Sequence, residues 1–217
     1  MNIEQARFNM VEQQIRPWEV LDQEVLDLLY VVRREEFVPQ AYRELAFSDL
    51  EIPLGEGETM MAPKIEARVL QELAVKPSDK VLEVGTGSGY LTALLAHRAA
   101  HVYSVEINPT LKAFGEANLR RAGVRNVTVE LGDAARGWPN YAPYDVIVLT
   151  GSTPVLPESL PAQLMPRGRL FAVVGEPPVM SARLVTCVTD GSYSTVDLFE
   201  TLLAPLKNAA QREKFVF

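Results

Sequence analysis

Apolar and polar positions along the chain follow two periods, and the changes between them mark the elements. Residues 3–15 put Ile3, Ala6, Met10 and Val11 on one helical face, and Arg16-Pro17 ends the pattern because proline removes a backbone donor. Asp22 is placed to cap a second helix carrying Val25, Leu26, Leu28, Leu29 and Val32, which breaks at Glu36-Phe37-Val38-Pro39. Residues 45–63 lose periodicity and hold Pro53, Gly55, Gly57 and Pro63. They are expected to form an ordered loop over a sheet edge, of a length that in a compact domain is functional or a linker. Helical spacing returns over 64–74, with Ile65, Val69, Leu70 and Leu73 inward, and residues 76–79 turn the chain into a strand.

That strand is the run Val81, Leu82 and Val84, apolar on both faces, followed by Gly85, Gly87 and Gly89 and by a helix over 88–98. Strands over 101–106, 127–131, 144–150 and 168–174 then alternate with helices over 109–122 and 157–164. Asn108 caps the first of these helices and Gly123 stops it. Segments 183–189 and 195–202, joined by Asp190-Gly191-Ser192, read as a hairpin. The predicted fold is α/β: a doubly wound, mostly parallel seven-stranded sheet with helices on both faces, a C-terminal antiparallel hairpin and an N-terminal helical extension. The 217 residues suit one domain.

Composition changes this picture by exclusion. A formal net charge of −7 disfavours sequence-independent binding to nucleic acid or to an anionic membrane, because Lys and Arg supply that affinity. The short clusters Arg33-Arg34 and Arg120-Arg121 with Arg125 read as solvated helix faces. No stretch approaches transmembrane length and the first residues lack a signal-type apolar run, so a cytoplasmic location is expected, without nucleic-acid or membrane partners. Cys187 is the only cysteine and sits in an apolar run, where it reads as a buried thiol. With only His97 and His101 beside it, no metal centre is expected.

Candidate chemistry gathers at the strand ends. Three glycines between a buried strand and a helix let the backbone pass close to a ligand. Glu106 ends the next strand, 21 residues beyond Gly85, where a carboxylate can accept ribose hydroxyls. Asp133 follows Gly132 at the end of the third strand, Asp145 opens the fourth, and Glu83 lies within the glycine strand. Singly, each acid is as readily a cap or a surface residue. Together they suggest one crevice. A dinucleotide would want its third glycine where Tyr90 stands, and a dehydrogenase would need a further domain. S-adenosylmethionine, with one ribose, no pyrophosphate and a cationic sulfonium, suits carboxylates better.

The stretch Glu83-Val84-Gly85-Thr86-Gly87-Ser88-Gly89-Tyr90 also resembles the first motif of class I S-adenosylmethionine-dependent methyltransferases, in the form found in protein-L-isoaspartate O-methyltransferases. The resemblance runs almost end to end. It takes in Met10-Val11-Glu12-Gln13-Gln14-Ile15, Glu36-Phe37-Val38-Pro39, Asp49 with Pro53 and Gly55, Gly132-Asp133, Gly137-Trp138-Pro139, Gln163-Leu164, Gly168-Arg169-Leu170 and Pro205-Leu206. It implies a methyltransferase domain with residues 1–63 as helical extension and substrate-side loop, and residues 64–217 as cofactor-binding core. It further implies S-adenosyl-L-methionine as cofactor and the carboxylate of isoaspartyl residues in damaged proteins as acceptor. Glu106 and its neighbour Ile107 would then hold the ribose, and Asp133, flanked by Gly132 and Ala134, the adenine amino group. The backbone from Gly85 through Gly87 to Gly89 would hold the methionine part, with Glu83, Thr86, Ser88, Tyr90 and Thr150 also among the cofactor-binding residues.

One departure concerns the acceptor. Where that family usually carries Thr-Ile-Ser before Gln-Pro or Ala-Pro, this chain has Thr59-Met60-Met61-Ala62-Pro63. A thioether replaces a hydroxyl, so the position loses a donor. Thr59 and Met61 are the candidate catalytic pair, and three readings stay open. Thr59 compensates, the pocket takes a more apolar acceptor such as a small molecule, or the methionines are core filler. A cofactor-binding protein without isoaspartyl activity is the reading from a different class.

Overall fold

The computed structural model describes residues 2–212; Met1 and residues 213–217 of the expected domain lie outside the described residues. Helix α1 (Ile3–Asn9) starts on Asn2, whose side chain accepts the Gln5 amide at 3.2 Å. It runs into a π-helical stretch (Met10–Ile15) and a 3₁₀ turn (Arg16–Trp18), so the single helix expected over 3–15 changes its winding midway. The wider turn carries Met10, Val11 and Ile15 into the core together. Helix α2 (Gln23–Val31) is capped as expected, Asp22 accepting the amide of Glu24 at 2.9 Å.

Residues 45–63, expected as a loop, contain a hairpin of β1 (Ile52–Gly55) and β2 (Glu58–Met60). Buried Ile52 stands opposite buried Met60, and Glu56 and Gly57 turn the chain at φ of 56° and 78°. Helix α3 (Pro63–Leu73) follows, with proline in its first turn, where no donor is needed, and Ala74 in the left-handed region at its end. After it come β3 (Lys80–Val84), α4 (Tyr90–Arg98), β4 (His101–Glu106), α5 (Pro109–Arg121) and β5 (Val127–Leu131). The chain continues through β6 (Tyr144–Thr153), β7 (Leu164–Glu176), β8 (Val179–Thr189) and β9 (Ser192–Glu200). Compared with the sequence expectation, α4 starts two residues later, β6 and β7 run longer, and the closing hairpin is shifted toward the N-terminus.

These seven strands form one sheet in the order β5-β4-β3-β6-β7-β8-β9, parallel from β5 to β7 and antiparallel beyond. One face meets α1, α2, α3, α4 and α5 through Val81, Val102, Val146, Val148, Phe171 and Val173. The other gathers Leu82, Val84, Val105, Ile147, Leu149 and Leu170 under Trp138, Tyr141 and Leu160, and among the described residues no α-helix contributes to that cluster. The helix expected over 157–164 is a turn, closed by the Leu160 amide on the Pro157 carbonyl, and one 3₁₀ turn (Pro161–Gln163). Pro161 has no N–H to give the carbonyl of Pro157, which denies an α-helix its first bond there.

The strand order reverses between β3 and β6, and the crevice outside the carboxyl ends of these strands is the topological binding position of such sheets. Residues 203–206 close one side of it. The Ser152 amide donates to the Ala204 carbonyl at 2.8 Å, the Leu206 amide to the Ser152 carbonyl at 2.9 Å, and the Ser152 hydroxyl to the Leu203 carbonyl at 2.8 Å. Gly151 permits this approach, since a Cβ there would lie 3.0 Å from the Leu206 nitrogen.

Candidate functional site

A cavity of about 290 Å³ lies at this edge. Gly85, Gly87, Glu106, Ile107 and Thr150 line it from the strand ends, and Gly132, Asp133 and Ala134 from beyond β5. A chamber of about 40 Å³ lies under the hairpin, lined by Met60, Met61, Glu66, Glu83, Thr86 and Ser88. Leu54, Thr59, Gly85, Gly87 and Thr150 border both spaces.

The glycine turn is held from three directions. Gly85 takes φ of 99°, and a Cβ there would fall 2.2 Å from the Thr150 hydroxyl oxygen, so a side chain is excluded on two counts. That hydroxyl donates toward the Val84 and Gly85 carbonyls, at 2.8 and 2.9 Å. Glu106 accepts the Gly87 amide at 2.9 Å on one oxygen and the Asn108 amide at 3.0 Å on the other, locking the turn to the start of α5. Behind the turn, helical Gly115 comes so close that a Cβ would meet Thr86 Cγ2 at 2.8 Å and the Gly87 carbonyl at 3.0 Å.

Gly89 and Tyr90, expected among the cofactor-binding residues, line neither space. Because α4 begins at Tyr90, its ring points into the N-terminal layer, 5.5 Å from the Phe37 ring and beneath the Arg34 guanidinium at 5.0 Å. Gly89 caps the helix against α5. Both support the turn from behind. Asp145 is at the wrong end altogether: it opens β6 and accepts the Lys80 amide at 2.8 Å, at the edge opposite the crevice.

Glu83 is fully buried. Its Oε2 accepts the hydroxyls of Thr92 and Ser104, each at 2.5 Å, and the Ser104 and Thr86 hydroxyls share a further bond at 2.6 Å. Burial pushes its carboxyl up to about 8 against the pull of those hydroxyls, and the nearby Glu106 charge adds to the rise. Glu83 Oε1 has no partner and borders the small chamber. A buried acceptor left open is a poor structural feature and a good receptor for a ligand ammonium group.

Asp133 accepts the Ala135 amide at 3.0 Å on one oxygen and the Asn208 amide group at 2.8 Å on the other. The Thr59 hydroxyl is exposed and donates to Glu51 at 2.9 Å. Met61 is buried, and its carbonyl accepts a bond of 2.6 Å from Arg34. Sequence reasoning missed the hairpin residues Leu54 and Glu58, and the wall formed by Leu203, Ala204 and Lys207. Only Pro205-Leu206 carried a signal there. Glu58, Glu106 and Asp133 face one lysine, Lys207, around the larger cavity, a balance that repels polyphosphate and accommodates a nucleoside with a cationic tail.

The family model for protein-L-isoaspartate(D-aspartate) O-methyltransferase matches residues 5–211. The protein-L-isoaspartate O-methyltransferase of Protochlamydia amoebophila is 43% identical over 199 residues, 91% of this chain and 94% of that protein. Its counterpart from Gloeobacter violaceus is 39% identical over 204 residues, 94% of this chain and 100% of that protein. A Plasmodium falciparum protein solved in complex with S-adenosyl-L-homocysteine superposes with a TM-score of 0.78 over 91% of this chain and 96% of that chain, at 21% identity, which establishes the shared fold.

Proposed function

The chain belongs to the protein-L-isoaspartate(D-aspartate) O-methyltransferase family, and from that premise we propose that it methylates the carboxylate of L-isoaspartyl residues in proteins or peptides, with S-adenosyl-L-methionine as donor. The reading rests above all on the paired spaces at the sheet edge. Glu106 and Asp133 line the larger one and, in this reading, take the ribose and adenine polar groups, while the open oxygen of Glu83 beside the smaller one takes the amino-acid tail. When bound, the cofactor supplies an electrophilic methyl group on a cationic sulfur.

The residues have a positioning task. A free carboxylate, with a pKa of roughly 4, is already ionised at neutral pH, so no general base is required. Glu106 and Thr150 keep the glycine turn in shape, and the hairpin shields the crevice from water, with Leu54 placed over Gly87. Thr59 borders both spaces, and its hydroxyl proton, now given to Glu51, can be offered to an incoming carboxylate. Orientation of this kind supplies a large share of the rate of a group transfer between two bound partners. A role in repairing damaged proteins, in the cytoplasm, belongs to the same proposal.

Transfer of labelled methyl groups to an isoaspartyl peptide and to its normal aspartyl counterpart tests it. Turnover is expected with the first alone. Turnover of neither, with cofactor bound, would overturn the acceptor assignment and favour a smaller acceptor, which the buried, apolar Met60 and Met61 beside the chamber would suit.

A further inference from the structure

We infer that Arg34 is a positioning residue for the methyl transfer: its guanidinium fixes the Met61 carbonyl and so holds residues 59–61 against both cavities. The inference rests on the methyltransferase reading. Arg34 opens a 3₁₀ turn (Arg34–Glu36) beyond α2 and is 1% exposed. A guanidinium is expensive to bury unless its N–H groups are used. Here one nitrogen pairs with the Glu66 carboxylate of α3, another donates to the Met61 carbonyl at 2.6 Å, and the plane stands over the Tyr90 ring at 5.0 Å.

These partners come from three separate elements that enclose the site. Met61 and Glu66 line the small chamber, and Tyr90 is the first helical residue after the glycine turn. One planar side chain therefore ties two walls of the chamber, Met61 and Glu66, to the helix that follows the glycine turn. A packing role alone would be met as well by apolar residues of similar volume. The bond to the Met61 carbonyl anchors the chain just beyond β2, in which Thr59, paired with Pro53, borders the two spaces. Lysine could satisfy Glu66, but as a single point charge it would not hold the forked geometry that reaches Met61 as well.

Two variants separate the roles: Arg34→Lys, which keeps the pair with Glu66, and Arg34→Met combined with Glu66→Gln, which leaves no buried charge. Each would be measured for thermal stability, S-adenosylhomocysteine affinity, kcat and KM on an isoaspartyl peptide, and amide exchange of residues 58–62. Positioning predicts a folded Arg34→Lys protein with affinity within about threefold of the wild type and kcat lower by roughly 10- to 100-fold, as sub-ångström to 1 Å misplacement produces. Exchange over 58–62 would quicken in both variants. Wild-type kcat in Arg34→Lys, or unchanged exchange in both, would overturn the inference, since a structural ion pair is restored by lysine. Failure of the functional reading shows separately, as an inactive wild-type chain, and the exchange comparison then decides the tether by itself.

Discussion

Lys207 Nζ lies 2.8 Å from Glu58 Oε1, so the C-terminal segment and the hairpin meet across the mouth of the larger cavity. Lys207 is 58% exposed, and a pair so open to solvent contributes little to stability. Its effect is expected in kinetics. Lys207→Met should leave the melting temperature within about 2 °C of the wild type and speed cofactor release several-fold in stopped-flow traces at low salt. The difference should fade as salt screens the wild-type pair. Equal release rates at low salt would remove the pair from any gating role.

Gly115 should defy helix propensity. Alanine in a helix interior is ordinarily better than glycine by about 1 kcal/mol, yet the new methyl would sit 2.8 Å from Thr86 Cγ2 and 3.0 Å from the Gly87 carbonyl. Gly115→Ala is expected to destabilise by roughly 1–3 kcal/mol through overpacking, and to weaken cofactor binding although the residue lines no cavity. Thermal melts and calorimetric titration check both. A more stable protein with unchanged affinity would contradict the contact.

The buried carboxyl of Glu83 predicts a pH dependence. Its folded-state value of about 8 lies above the ordinary 4.5. The stability it contributes is therefore fully present below about 4.5 and is lost as pH rises through 8. Glu83→Gln stays neutral, so its melting temperature should vary less between pH 5 and 9 than that of the wild type. Parallel curves for the two proteins would assign the dependence to other groups.

Met61→Ser probes the acceptor side. Removing a buried thioether is expected to cost about 2–5 kcal/mol, in the manner of other large-to-small core changes. The new hydroxyl should raise turnover of an isoaspartyl peptide by restoring a donor at the chamber wall. Lower turnover with intact cofactor binding would show that the thioether itself shapes the acceptor space.

Much of the fold was legible where local signals were strong. Strands β4 and β5 fall where the sequence places them, and α5 starts on its Asn108 cap and ends just before Gly123, because cap, proline and glycine agree. The hairpin was not legible: strands of four and three residues are too short to show alternation, and Pro53 and Gly55 read as loop. Within the site, Glu106 and Asp133 were readable because they end strands whose sense is fixed by the parallel sheet. Asp145 misled because it begins one. Gly115, Glu58 and Lys207 had no local signal, since only the fold brings them to the glycine turn.

The segment that walls the cavity beside Ser152 lies beyond the last strand of the sheet. A variant cut after residue 200 would keep every strand of the sheet and the hairpin, yet Leu203, Ala204, Pro205 and Lys207 would be missing from the pocket, and so would the bonds that Leu203, Ala204 and Leu206 make with Ser152. Ligand stabilisation acts only on the form that binds. Such a shortened variant is therefore expected to gain less stability from S-adenosylhomocysteine than the 217-residue chain does.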